Sequence, residues 1–205
     1  MTAIDLSSYA GLTAITLLTI NILIGLLLST HYNPVRRWPH RKINTVKLHS
    51  WTGYTALGVS LIHPVLILFS STAHFQLVDI LYPVHAPKQP LINVLGAAAL
   101  YILLITVSTS YFRFEIGRKL WKPIHLLTYA MFPLYAIHGI WTDPNLKDAP
   151  PDWFDAEKVY VELCVLLVIV AIGLRVKWQL RQPPPRQHIP KRRRSTATEP
   201  YQNRS

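Results

Sequence analysis

The sequence predicts an all-α, polytopic membrane helical bundle, and three observations predict it. Half of the 205 residues are hydrophobic and only 15% are charged, against about a quarter in an ordinary soluble domain. The apolar residues gather into five runs, 11–28, 48–69, 91–112, 120–141 and 159–176, each 18 to 22 residues long. That length matches the ~20 residues with which an α-helix crosses the hydrocarbon. The charges between the runs alternate in sign. About five transmembrane helices are therefore expected within a domain spanning residues 1–180, with a disordered basic tail at 181–205.

The elements follow in order. No basic residue precedes the first run and no small-residue cleavage site follows it, so it reads as a span and not as a secretory signal. The second run carries His49 near one end and His63 near the other, with Gly53 and Gly58 between them and Pro64 directly after. The third is apolar throughout. The fourth repeats the histidine pattern with His125 and His138, and Pro133 lies between them. A mid-helix proline removes one backbone hydrogen bond and bends the axis. The fifth holds Glu162 and the single cysteine, Cys164, so no disulfide framework exists.

Charge sets the orientation. The segment 31–47, the segment 113–122 and everything from Arg175 onward together hold 18 basic and 2 acidic residues. The N-terminal segment and the two remaining connections, with Glu162, hold 3 basic and 8 acidic residues. By the positive-inside rule the N-terminus lies outside, the C-terminus is cytoplasmic, and the chain is a multi-pass protein of the plasma (inner) membrane. The basic excess is thus topological and does not call for nucleic acid. The KRRR at 191–194 follows a proline-rich stretch and suits a tail drawn to anionic lipid.

His31, His40, His74, His85 and His188 fall in loops or the tail and read as solvated side chains. The other four lie inside helices, where an ionisable residue is costly and marks function. Helices two and four run in the same direction, so His49 and His125 share the inner level and His63 and His138 the outer one. Spacings of 14 and 13 residues separate the levels by about 20 Å on each helix at ~1.5 Å per residue. Zinc would want three or four ligands, and a di-iron site several carboxylates. Haem iron needs only two axial ligands from the protein, because the porphyrin supplies four. Two b-type haems use every helical histidine, and no C-x-x-C-H motif for covalent attachment is present.

The rotational positions agree less well. At ~100° per residue His49 and His63 fall about 40° apart around their helix, whereas His125 and His138 fall about 140° apart. Gly53 and Gly58 serve either close approach of a flat ligand or helix–helix packing. Trp51, Tyr54, Tyr129, Phe132, Tyr135 and Trp141 suit pocket lining, ordinary packing and the interfacial aromatic belt alike.

H-x13-H on one helix and H-x12-H on the next but one resemble the ferric reductase-like transmembrane domain superfamily. It includes ferric reductases, NADPH oxidases and the haem subunit of a bacterial methionine sulfoxide reductase. "LVDILYPVHAPKQP", "TSYFRFEIGRKLWKPIHLLTYAMF" and "HGIWTD" extend the likeness over roughly residues 10–180. The resemblance implies transmembrane electron transfer through two stacked b haems, from a cytoplasmic donor to an acceptor outside. His49 with His125 would hold the inner haem iron, and His63 with His138 the outer one. Many relatives carry a flavin and nicotinamide domain of their own. No Rossmann-type glycine loop occurs in this sequence, so a separate flavin reductase or a quinol is expected as donor. Arg36, Arg37, Lys47, Arg113 and Lys122 are candidates to neutralise the inner haem's propionates. The alternatives are a haem subunit delivering quinol or flavin electrons to an extracytoplasmic reductase, and a haem-free scaffold or proton carrier.

Overall fold

A computed structural model of the chain describes residues 2–30, 44–143 and 152–182. Among them the regular structure is all helical: α1 (Ala3–Ser29), α2 (Thr45–Ile67), α3 (Leu77–Leu81), a 3-10 turn (Pro83–His85), α4 (Pro90–Tyr111), α5 (Arg113–Leu126), α6 (Thr128–Trp141) and α7 (Ala156–Leu180). Local chemistry sets several boundaries. Thr2 and Asp5 form a capping box at the start of α1, with Thr2 N–H donating to Asp5 Oδ2 at 2.7 Å. Asn44 Oδ1 accepts from the Val46 and Lys47 amides and so starts α2. Pro90 opens α4 at the first helical position, where a missing N–H costs nothing.

On length and apolarity alone, α1, α4 and α7 can cross a membrane. α2 has the length but carries Lys47, His49, Ser50, Thr52 and His63, which dilute its apolarity. The expected fourth span is divided. It comprises the α5–α6 rod, interrupted at Leu127. The segment 113–122, expected as a loop, is instead part of α5 and is broken within that helix only at Gly117, whose φ of 77° lies in the left-handed region.

α2 packs antiparallel along α1, and the α5–α6 rod packs antiparallel along α4; α7 closes against α1 and α6. The buried residues form one cluster centred on α1, where Ala14, Ile15, Leu18, Ile22 and Leu26 meet Ala99 and Leu103 of α4, Met131 and Phe132 of α6, and Val161, Cys164 and Val168 of α7. The outer flanks are apolar and exposed, as at Leu163, Leu166, Ile169 and Leu174 of α7. Such a surface suits lipid and not water. Notably, α2 does not pack closely against α5 or α6. These are the helices that carry the facing histidines.

Charge is segregated by end. Lys47, Arg113, Arg118, Lys119, Lys122, Arg175 and Lys177 lie where α2 and α5 begin and α7 finishes, and Arg175 donates to Ser29 at the foot of α1. Asp5, Asp79, Asp143, Asp155 and Glu157 lie at the opposite end, where Ser8 bridges α1 to Glu157. The basic loop residues Arg36, Arg37, Arg41 and Lys42, with His31, His40, His188 and the tail beyond 182, fall outside the described residues. His74 and His85 are exposed, in keeping with solvated side chains.

Candidate functional site

The structure brings the four helical histidines together two by two. The His49 and His125 rings lie 6.0 Å apart, centre to centre, at the basic end. The His63 and His138 rings lie 6.1 Å apart at the acidic end. Both pairs meet at steep angles, 72° and 77° between ring planes.

A local shift in helix winding accommodates the awkward spacing of His125 and His138. Leu127 N–H donates to Ile124 O, and Ala130 N–H to Leu127 O, both three residues back and both at 3.0 Å. Three-residue bonds wind at ~120° per residue instead of ~100°, so each overwound residue removes ~20° of the 140° separation. Pro133 lies one turn further on, inside α6. The break at Leu127 therefore joins the proline in re-aiming His138.

Every ring is held through Nδ1, and the supports come from the neighbouring helix. His63 Nδ1 lies 2.8 Å from Ser7 O, His49 Nδ1 3.1 Å from Asn21 O, and His138 Nδ1 2.9 Å from Ile92 O. A carbonyl only accepts, so in the neutral ring Nδ1 carries the proton and Nε2 keeps its lone pair. Four residues after each carbonyl stands a glycine: Gly11, Gly25 and Gly96. A Cβ on Gly11 or Gly25 would come within 3.2 Å of its histidine ring, and one on Gly96 within 2.9 Å of the His138 ring. These three glycines are notches into which the rings fit.

The fourth position departs from this rule. Gly25 follows Gly11 by 14 residues on α1, and Ser110 follows Gly96 by 14 on α4. Where the glycine would stand, Ser110 supplies a hydroxyl. Its Oγ donates to Thr106 O at 2.7 Å and lies 3.2 Å from both His125 Nδ1 and Trp121 Nε1. With its proton committed to Thr106, the hydroxyl accepts from both rings. Trp121 also stacks on His125, 5.0 Å between centres. Ser110, Trp121 and the three glycines escaped sequence reading. The available signal was the repeat of 14, which also separates His49 from His63.

Gly53 and Gly58 contribute differently. A Cβ on Gly53 would meet the Asn21 side chain at 3.4 Å, so this glycine serves the α1–α2 contact. Gly58 faces open space. Of the aromatics singled out, Phe132 and Tyr135 are buried, and Tyr135 donates weakly to Gly11 O at 3.4 Å; Trp51, Tyr54, Tyr129 and Trp141 are exposed on the flanks.

A cleft of about 1400 Å³, counted to its open mouth, lies at the acidic end. His63 and His138 line it together with Gly11, Gly96, Ser60 and Tyr135. Ser60 is buried there beside the Tyr135 hydroxyl. No group of three or more His, Cys, Asp or Glu side chains that could hold a metal ion occurs among the described residues. Each pair therefore offers two nitrogen donors and nothing more. That set is too small for a tetrahedral metal and would suit one whose other ligands arrive with it.

Residues 10–136 match the family described as "Ferric reductase like transmembrane component". The match takes in His49, His63 and His125 and stops two residues before His138. No curated protein matches the chain. No solved structure matches it either. More than half of the sequence thus falls within a family of membrane electron-transfer components, and the chain belongs to the ferric reductase-like transmembrane component family.

Proposed function

We propose that this chain carries electrons across the plasma membrane on two b-type haems, from a cytoplasmic flavin reductase or quinol to an acceptor outside. His49 and His125 hold the inner iron, and His63 and His138 the outer one. Residues 1–180 form the haem domain and 181–205 a basic cytoplasmic tail. Domains of this family generally bind haem.

The spacing within each histidine pair carries the proposal. Two imidazoles that shared one metal at ~2 Å per bond, with each ring centre about 1 Å beyond its nitrogen, would have centres ~6 Å apart. The observed separations are 6.0 and 6.1 Å. Bound haem supplies reversible one-electron chemistry at iron. The chain's own residues do the positioning. Ser7, Asn21, Ile92 and Ser110 fix each ring and hold the proton on Nδ1, which leaves Nε2 free to ligate. The notches at Gly11, Gly25 and Gly96 let the rings lie back against α1 and α4. The gap between α2 and the α5–α6 rod leaves room for a flat apolar macrocycle.

With two histidines holding each haem, neither iron would keep a position for substrate. Electrons would then leave by way of the cleft that His63 and His138 line at the acidic end. The positive-inside rule assigns the basic end to the cytoplasm, where Lys47, Arg113 and Lys122 suit the inner propionates and a docked donor. A pyridine haemochrome assay on the purified protein should return two haems per chain, with a low-spin reduced spectrum. A folded, haem-free protein would instead favour the scaffold or proton-carrier alternative.

A further inference from the structure

Lys158 is the one buried cation among the described residues, 6% exposed in the first turn of α7. It makes no ion pair and no hydrogen bond among them. It lines the acidic-end cleft together with His63 and His138. Two of the nearby acids are engaged elsewhere. Glu157 accepts from Ser8 Oγ at 2.8 Å. Asp79 accepts from the Gln76 amide at 2.8 Å. Asp155 stands at the N-cap of α7, where its side chain makes no cap hydrogen bond. A lysine whose stem is enclosed while its head reaches a cavity is placed to meet an anion that enters it. Its ammonium is not among the fully enclosed unpartnered atoms, so it retains access to open space. The side chain is thus held at the cavity wall without a direct ion pair.

The geometry points to Lys158 as a carboxylate-binding residue of this cleft, and to a propionate of the haem between His63 and His138 as the carboxylate it takes. The inference rests on the haem assignment above and adds to it. At the basic end many cations are available for such a role. At the acidic end Asp79, Asp143, Asp155 and Glu157 line the cleft and would repel a propionate. Lys158 is the one lysine or arginine in that lining, and so the one fixed cation there that can meet a carboxylate.

The test uses the solubilised holoprotein with Lys158→Gln, Lys158→Arg and, as control, Lys88→Gln at an exposed lysine of the same end. Transfer of haem to an excess of a haem-scavenging protein is followed together with a redox titration. Losing one charge-assisted contact should speed release of the outer haem about tenfold to a hundredfold. It should also lower that haem's midpoint potential, because a nearby positive charge favours the reduced form. Lys158→Arg should restore most of both, Lys88→Gln should change neither, and the inner haem should be unmoved, which shows that the variant is folded. Two haems bound, with outer release and potential in Lys158→Gln unchanged, would overturn the carboxylate assignment alone. Binding of citrate to the wild type but not to Lys158→Gln, with the haems unaffected, would also overturn it, by showing that the carboxylate comes from solution. Absence of haem from the wild type would overturn the functional proposal itself.

Discussion

At the scale of single residues, a glycine or a hydroxyl beside each histidine decides how the ring is held. Gly96 is the tightest of the notches, since a Cβ there would approach His138 Cε1 and Nδ1 to 2.9 Å. Real Cβ atoms do not sit that close to a ring, so Gly96→Ala must displace His138 or push α4 from α6. Gly96→Ala should therefore lose the outer haem component from the redox titration and keep the inner one. Gly25→Ala, at 3.2 Å from His49, should weaken the inner component more mildly. Ser110 gives a prediction of a different kind. Ser110→Ala removes the acceptor for His125 Nδ1–H and for Trp121 Nε1–H together. Hydrogen bonding at Nδ1 raises the basicity of a metal-bound imidazole. Its loss should raise the inner haem's midpoint potential, by about 60 mV for each tenfold change in relative affinity for the two oxidation states.

At the scale of elements, the device is a helix that supports its neighbour. α1 supports both histidines of α2 through Ser7 and Asn21, 14 residues apart, and α4 supports both histidines of the α5–α6 rod through Ile92 and Ser110, 18 residues apart. The two supporting helices are continuous, while the second histidine helix is divided at Leu127. Register along that rod is accordingly sensitive. One alanine inserted between Thr128 and Tyr129 would turn His138 by about 100° and lift it ~1.5 Å. The outer haem should be lost and the inner one kept, as read from the reduced spectrum. Survival of both would show that the pairing tolerates rotation, against the close support seen for His138. α5 adds a surface role at the basic end. Phe114 is 81% exposed beside Arg113, whose guanidinium lies 4.8 Å from its ring centre, and Arg118, Lys119 and Lys122 follow. This combination of exposed apolar and basic side chains suits the membrane interface.

At the scale of the whole molecule, separation of charge orients the bundle. Asp152 and Lys177 lie at opposite ends of it, four residues before α7 and in its last turn. Cys164 is buried and is the single cysteine, so a Cys164→Ser background leaves no native thiol. In that background Asp152→Cys should react with an impermeant thiol reagent added outside intact cells, and Lys177→Cys only after lysis. The reverse pattern would invert the direction assigned to electron flow. The basic face also predicts how a donor docks. Reduction by an acidic flavoprotein should slow as ionic strength rises from about 0.01 to 0.15 M, because the screening length falls from ~30 to ~8 Å. A rate indifferent to salt would leave free reduced flavin or quinol as the donor.

Much of this was legible in one dimension. Hydropathy marks where helices run, a run of about 20 apolar residues measures a bilayer, and charge counts tell one end from the other. The level of a residue along a helix is its number multiplied by a fixed rise, which is why His49 with His125 and His63 with His138 could be matched by depth before any packing was seen. Rotation about the helix axis is less well determined, because a few overwound residues at Leu127 change it. Contacts between helices are not determined at all by spacing within one of them. Only the tertiary structure showed that Gly11, Gly25 and Gly96 make room for imidazoles while Gly53 serves a packing contact. The same holds for Ser110, which takes the place of a glycine beside His125. Lys158, one of three basic residues that sequence counting placed on the acidic side, was revealed as enclosed and unpaired only by the helices around it. Depth follows from the chain alone, whereas the partner of a side chain depends on which helix is set against it.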